Sequence, residues 1–374
     1  MLRIGIVGCG KIADSHAAQI QRMKDCELVG VCDAEPLMAQ QLAERLSLKS
    51  CYTDVDGFLE GARPDVVHIT TPPQSHLPIG LRCLQYGCHL VVEKPFTIDT
   101  QEAHVLIDAA NRAGRKVTVG HDGQFSPVAR EMRRLVRAGY LGGAPVHMES
   151  HWCYDLGDPT YAKALLADTR HWARQLPGGL PHNIISHGIS KIAEFIEGDT
   201  PKVVALGFVS PFLRALGNSE IVDELRVIVH DEGGTTAYFT FSTQMRPSLH
   251  QFSIFGHRNG ITIDEDKRTL VKLSGTSLKS YAEHFVQPVL YGSQYFGNSF
   301  RNVRQFMRNE FHMDDGKYRL FRMFYDSILK GSPIPIPYRE IILTSHIMDQ
   351  IFAQMPLADA RQREASRLSV PASS

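Results

Sequence analysis

The stretch that most constrains this chain is its opening, Leu2–Ala13. An apolar run of strand length, Leu2–Val7, ends in Gly8-Cys9-Gly10-Lys11-Ile12-Ala13, a Gly-x-Gly-x-x-Ala turn. A helical pattern follows, with Ile12, Ala13, His16, Ala17, Ile20 and Met23 on one face. Strand, glycine turn and helix in this order are what a dinucleotide pyrophosphate needs. The first glycine turns the chain and the second lets the backbone approach the phosphates. The small third residue lets helix and strand pack, and the helix N-terminus presents free N–H groups. The glycines alone are weak evidence, because tight strand-to-helix turns use glycine anyway. They make Gly8, Gly10, Lys11 and Ile12 candidate cofactor contacts.

The next strand supplies a second test. Leu28–Cys32 is apolar and ends in Asp33, about 20 residues past the glycines, where the ribose-binding acid of such a unit falls. A carboxylate there accepts the adenosine ribose hydroxyls and repels a 2′-phosphate. No lysine or arginine in Ala34–Met38 reverses that preference, so NAD is expected over NADP.

Further strands and helices alternate. Asp65–Thr70 reads as a buried parallel strand breaking at Thr71-Pro72-Pro73-Gln74-Ser75-His76. Cys88–Val92 ends at Glu93-Lys94-Pro95, and Lys116–Gly120 runs into His121-Asp122-Gly123-Gln124. Such alternation specifies an α/β fold with a doubly wound parallel sheet, whose ligands bind beyond the carboxyl ends of the strands. All of the polar motifs fall at those ends, and this convergence outweighs the glycines.

After about Asp122 the period changes. Pro127–Gly139 is a basic amphipathic helix whose Arg130, Arg133, Arg134 and Arg137 read as a solvated face. Segments at Val146–Trp152, Val203–Val209, Leu225–His230, Thr235–Phe241, Phe252–Phe255 and Gly260–Ile263 alternate with period two. They predict an α+β domain with a large, mostly antiparallel sheet and one open face. Residues 276–312 are aromatic and read as irregular, and Tyr318–Leu329 and Glu340–Gln354 read as helices. The expected domains are 1–122, 123–356 and a flexible tail at 357–374.

Lys plus Arg and Asp plus Glu both number 40, so bulk charge points to neither nucleic acid nor an anionic membrane. The apolar runs are too short to span a bilayer. The N-terminus enters a core strand without a signal-peptide pattern. Seven cysteines lie scattered without CxxC spacing. The expectation is a reduced, cytoplasmic protein.

Lys94 has the strongest claim to chemistry. It follows an apolar strand at the sheet's carboxyl edge, where partial desolvation near a cationic nicotinamide lowers its pKa toward the range of a general acid–base. His187 is the second candidate. It stands four residues after Asn183, so a helix puts both on one face, and Pro181 lies just before that helix. Gly178-Gly179 allows a ligand close to the backbone. His147 and His151 share a strand face but stand too far apart for one ion. There is no HExxH and no cysteine cluster, so no metal is expected.

With GCGKIA, Asp33, TPPQSH, EKP and PGGLPHNIISH in hand, the chain resembles the Gfo/Idh/MocA oxidoreductases over nearly its whole length. The resemblance implies a Rossmann domain, then a domain whose open sheet mediates a homodimer or homotetramer. It implies NAD(P), a sugar-like or cyclitol substrate, and Lys94 as acid–base before an often cis peptide. Their place at the strand ends makes Thr71, Pro72, His76, Glu93 and Lys94 candidate cofactor contacts, and Asn183, His182, His121, Trp172 and Arg174 are candidate substrate or nicotinamide contacts. The family's D-x-x-x-H pair falls on Asn183 and His187, and asparagine cannot ionise. Asp122 and Gln124 also depart from the family's usual asparagine and arginine. Two further readings stay open: transient oxidation by a retained NAD during glycoside hydrolysis or elimination, and an NAD-binding sensor without turnover.

Overall fold

A computed structural model describes residues 1–156, 168, 170–275, 280–308 and 315–355. The expected tail at 357–374 lies outside them. The chain divides into two compact units, Met1–Phe125 with Asp314–Ser345, and Ser126–Met313 with His346–Ser374.

The first unit is a six-stranded sheet in the order β3-β2-β1-β4-β5-β6. Its strands are β1 (Leu2–Val7), β2 (Cys26–Cys32), β3 (Cys51–Tyr52), β4 (Val66–Ile69), β5 (His89–Val92) and β6 (Val117–Val119). Every pairing is parallel. The expected doubly wound Rossmann sheet is present. The central strands β1, β4 and β5 are almost wholly buried, as their continuous apolar runs require. Helices α1 (Lys11–Gln21), α2 (Pro36–Arg45), α3 (Val55–Ala62), α4 (His76–Gln85) and α5 (Thr100–Arg112) connect them.

One boundary differs from expectation. The second domain is not continuous over 123–356, because residues 314–345 return to the first unit. Burial explains the return: Leu320, Phe321, Phe324 and Tyr325 belong to the same apolar core as Ile4, Val67 and Val91.

The second unit opens with α6 (Pro127–Arg137) and a seven-stranded sheet ordered β13-β12-β11-β7-β10-β9-β8. Its strands are β7 (His147–Cys153), β8 (Lys202–Phe208), β9 (Glu224–His230), β10 (Thr236–Ser242), β11 (His250–Phe255), β12 (Asn259–Asp264) and β13 (Thr269–Ser274). All pairings are antiparallel except β7 with β10, matching the expected mostly antiparallel sheet. Val204, Leu206, Ile228 and Tyr238 stand exposed on it.

Two local readings change. Arg133 is not solvated: its guanidinium donates to the Glu194 carboxylate at 2.9 Å, both side chains being largely buried. Within 276–312, read as irregular, residues Ser280–Met307 form one long helix. The remaining helices are α7 (Gly179–Ile184), α8 (Ser186–Ala193), α9 (Pro211–Ala215), α10 (Ser280–Met307), α11 (Asp315–Lys330) and α12 (Tyr338–Ala353). None among the described residues is long and apolar enough to cross a membrane.

Candidate active site

The turn after β1 uses its two glycines for different reasons. Gly8 has φ +98°, and a Cβ there would stand 2.7 Å from backbone atoms of Thr70 and Thr71. The chain's own packing therefore demands glycine. At Gly10 φ is −72°, and a Cβ would meet no protein atom within 4 Å. Nothing in the protein requires glycine at that position. The free space lies over the N-terminus of α1, which has no side-chain cap, and it fits a pyrophosphate approaching those N–H groups. Lys11 is exposed and Ile12 partly exposed at the same helix start.

Asp33 ties this turn to the end of β2. The Cys9 amide donates to its Oδ2 at 2.6 Å and the Glu35 amide to its Oδ1 at 2.9 Å. Each oxygen keeps acceptor capacity for a ribose hydroxyl. Burial, and then the Asp33 charge, push the Cys9 thiol up to about 12, so it stays an inert wall.

The loops after β4 and β5 are joined by a buried imidazole. The His76 ring nitrogens stand 2.8 Å from the Thr71 carbonyl oxygen and 3.1 Å from that of Pro95. The ring is fully enclosed, so it braces these loops from within. Thr71 is partly exposed and Pro72 exposed in front of it.

Lys94 leaves the end of β5 partly exposed, and its peptide to Pro95 is cis. Burial holds its ammonium below the ordinary lysine value; Glu93 and Asp122 oppose that effect and Lys317 adds to it. Lys317, on α11, is buried, with Nζ 3.0 Å from Ser15 Oγ and 3.5 Å from Asp122 Oδ2. His121 is also buried, and loss of solvent depresses its pKa to about 3, leaving it neutral.

Behind Lys94 runs a buried polar chain. Glu93 Oε2 accepts the Lys94 amide at 3.1 Å, and its Oε1 lies 2.7 Å from His16 Nε2. His16 Nδ1 is 2.8 Å from His68 Nδ1, and His68 Nε2 is 2.7 Å from the Tyr325 hydroxyl. Burial alone would raise the Glu93 carboxyl. The bond to His16 and the nearby positive charges outweigh it and hold Glu93 below the usual carboxylate range. Gly120 is needed here, since a Cβ would come within 2.8 Å of Glu93 Oε1.

In the second unit, α7 and α8 meet at Ile185, so Asn183 and His187 straddle a break. Pro181 lies inside the first turn of α7 rather than before it. From 178 to 193 every residue is buried except Asn183 and His187, which makes this pair the stretch's accessible polar surface. The His187 ring stacks on Trp152, centroids 5.0 Å apart and planes 19° apart. Lys191 Nζ lies 4.6 Å over the same indole and 2.8 Å from Glu265 Oε1. His182 is turned inward, its ring stacked 4.5 Å from Phe352 and its Nδ1 accepting the Gly178 amide at 3.4 Å. Trp172 and Arg174 sit on a short 3-10 turn, partly exposed, with the Arg174 guanidinium 3.5 Å from Glu220.

Sequence reasoning missed Lys317, Trp152 and Lys191. Lys317 lies far along the chain from Asp122 and carries no local motif. Trp152 and Lys191 read as ordinary members of a strand and a helix. Among the described residues, no group of three or more His, Cys, Asp or Glu is placed to hold a metal ion.

A parallel sheet with this glycine turn and this acid at the end of β2 defines a Rossmann-type dinucleotide-binding unit. Residues 2–121 match the family model described as "Oxidoreductase family, NAD-binding Rossmann fold", and residues 129–262 match "GFO/IDH/MocA C-terminal domain". The chain belongs to the Gfo/Idh/MocA oxidoreductase family. Over 142 residues it is 34% identical to D-glucoside 3-dehydrogenase of Escherichia coli K12, a match covering 38% of this chain and 40% of that protein's length. Among solved structures it is similar to UDP-N-acetylglucosamine 3-dehydrogenase from Acidithiobacillus ferrooxidans, with TM-score 0.70 and 20% identity, covering 95% of this chain and 97% of that one. It is also similar to the WlbA dehydrogenase from Bordetella pertussis, solved with NADH and UDP-GlcNAcA, with TM-score 0.76 and 16% identity, covering 96% of each chain. At these identities the structural likeness shows the fold.

Proposed function

We propose that this protein is an NAD-dependent dehydrogenase or reductase acting on a sugar or cyclitol, with Lys94 as its acid–base. The observation that carries the reading is the position of Lys94. Its side chain leaves the carboxyl end of β5, the sheet edge that also bears the glycine turn and Asp33. Burial lowers its pKa, so the free amine is populated nearer neutrality. The names of the relatives support the substrate class.

Gly8, Gly10, Lys11, Ile12, Asp33, Thr71 and Pro72 would hold the cofactor, and the carboxylate of Asp33 favours NAD over NADP. When bound, NAD supplies hydride transfer. The chain's own residues position and move the proton. In oxidation the Lys94 amine takes the proton from the substrate hydroxyl, and in reduction its ammonium returns it. In the second unit Asn183 and His187 are the accessible hydrogen-bonding groups of their stretch, and the Trp152 stack fixes the imidazole plane. Assembly as a homodimer or homotetramer through the second sheet, where Leu206 and Tyr238 are exposed, belongs to the same reading.

The test pairs a panel of sugars and cyclitols with NAD, following NADH formation by the full chain and by Lys94→Ala. Turnover by the variant should fall about 10²–10⁴-fold, with NAD still bound by fluorescence titration. Near-normal turnover by the variant would remove Lys94 from its role. NAD binding without oxidation of any polyol would overturn the dehydrogenase reading.

A further inference from the structure

The long helix α10 turns its polar side inward. The Gln294 side-chain amide pairs with Lys272 twice, accepting from its N–H at 2.8 Å and donating to its carbonyl at 3.1 Å. Asn298 does the same to Leu270, at 3.3 and 2.9 Å. The Gln287 amide donates to the Ser274 carbonyl at 2.6 Å. These side chains stand in for a neighbouring strand along β13, the last strand of the sheet, and close that edge to further pairing.

The opposite side of α10 is apolar and uncovered. Tyr281, Phe285, Val289, Phe296, Phe300 and Val303 are 65, 74, 70, 81, 74 and 55% exposed. At 3.6 residues per turn they fall within an arc of roughly 100°, facing away from Gln287, Gln294 and Asn298. A full aromatic ring buries ~200 Å², so the stripe offers roughly 800 Å² with its valines. That matches the ~800 Å² each partner gives to a standard stable interface and exceeds what monomers ordinarily leave to water.

The order of residues identifies the occupant. A two-fold axis near residue 294 sets Phe285 of one copy opposite Val303 of the other, and Val289 opposite Phe300. The same axis sets Phe296, the most exposed of these rings, opposite Gly292. A Cβ at Gly292 would meet nothing within 4 Å, so that position is a notch. Large residues thus face small ones, as a self-complementary isologous contact requires.

We infer that α10 is a homodimer interface, packing antiparallel against α10 of a second copy with Phe296 seated over Gly292. This contact is distinct from assembly through the second sheet and stands whether or not the catalytic reading holds.

The experiment is sedimentation velocity on the full chain at tens of micromolar, comparing wild type with Phe296→Glu, Gly292→Trp and Leu206→Glu. Gly292→Trp enters open space within one copy and raises helix propensity, so its circular dichroism should be unchanged and it carries the test even if Phe296→Glu fails to fold. The expected result is a wild-type oligomer whose mass halves in both α10 variants. A monomeric wild type would overturn the proposal, the stripe then being covered from within the chain. So would an oligomer that survives Gly292→Trp and yields only to Leu206→Glu.

Discussion

Lys317 meets Asp122 across nearly two hundred residues of sequence, its Nζ 3.5 Å from Oδ2 in a position closed to solvent. The charge on Lys317 disfavours a second charge on Lys94. Replacing it by methionine should raise the pKa of Lys94 and move the rising limb of the rate–pH profile to higher pH. Lys317→Arg keeps the charge and should restore the profile. An unshifted limb in Lys317→Met would show that this lysine only packs.

Asp33 anchors the Cys9 and Glu35 amides, and under the proposed function its carboxylate also accepts from a ribose. Asp33→Asn leaves one acceptor oxygen and removes the charge. KM for NAD should rise about tenfold or more, the order expected when a charged hydrogen bond of ~1.5–3 kcal/mol is lost, and NADP should gain relative to NAD. Steady-state kinetics with both nucleotides measures each effect.

Stability should fall on the acid side of neutrality. His68, His76 and His121 are buried, and loss of solvent depresses each of their pKa values. Below about 6.5 the unfolded chain therefore binds more protons than the folded one. Stability is full above that pH and is lost as pH falls, by up to about 1.4 kcal/mol per pH unit for each ring. Glu93, held low when folded, adds a loss of the same sign below about 4.5. Urea midpoints at pH 7.5 and 5.5 decide it. Equal midpoints would mean that these rings are not kept neutral.

Trp152 orients His187 by stacking. Trp152→Leu should leave NAD affinity unchanged and lower kcat/KM for the sugar about 10–100-fold, the range associated with slight misplacement of a positioned group. Trp152→Phe should recover part of it. A variant with full kcat/KM would leave the stack without a function.

The first unit was legible because its signals are local. Gly8, Gly10 and Asp33 stand at fixed offsets from apolar strands, and Lys94 announces itself at a strand end. The second sheet was legible from its period of two, except β13, where the adjacent apolar pair Leu270-Val271 breaks the alternation. Two kinds of feature escaped. Lys317 and Tyr325 act on groups distant in sequence, and only tertiary packing brings them together. Helix α10 escaped because Pro288, Gly292 and Gly297 lie inside it, and such residues ordinarily mark breaks in a helical pattern. His182 shows the opposite case: its motif points to a ligand contact, whereas its packing against Phe352 carries no local signal in the sequence.

The return of residues 314–345 to the first unit has a consequence for biosynthesis. Phe321, Phe324 and Tyr325 complete a core whose other walls are made from the opening residues. A ribosome therefore exposes the unfinished apolar surface of the N-terminal half throughout the emergence of the second sheet. Premature termination before residue 314 would release a chain lacking that closing piece, a species inclined to aggregate.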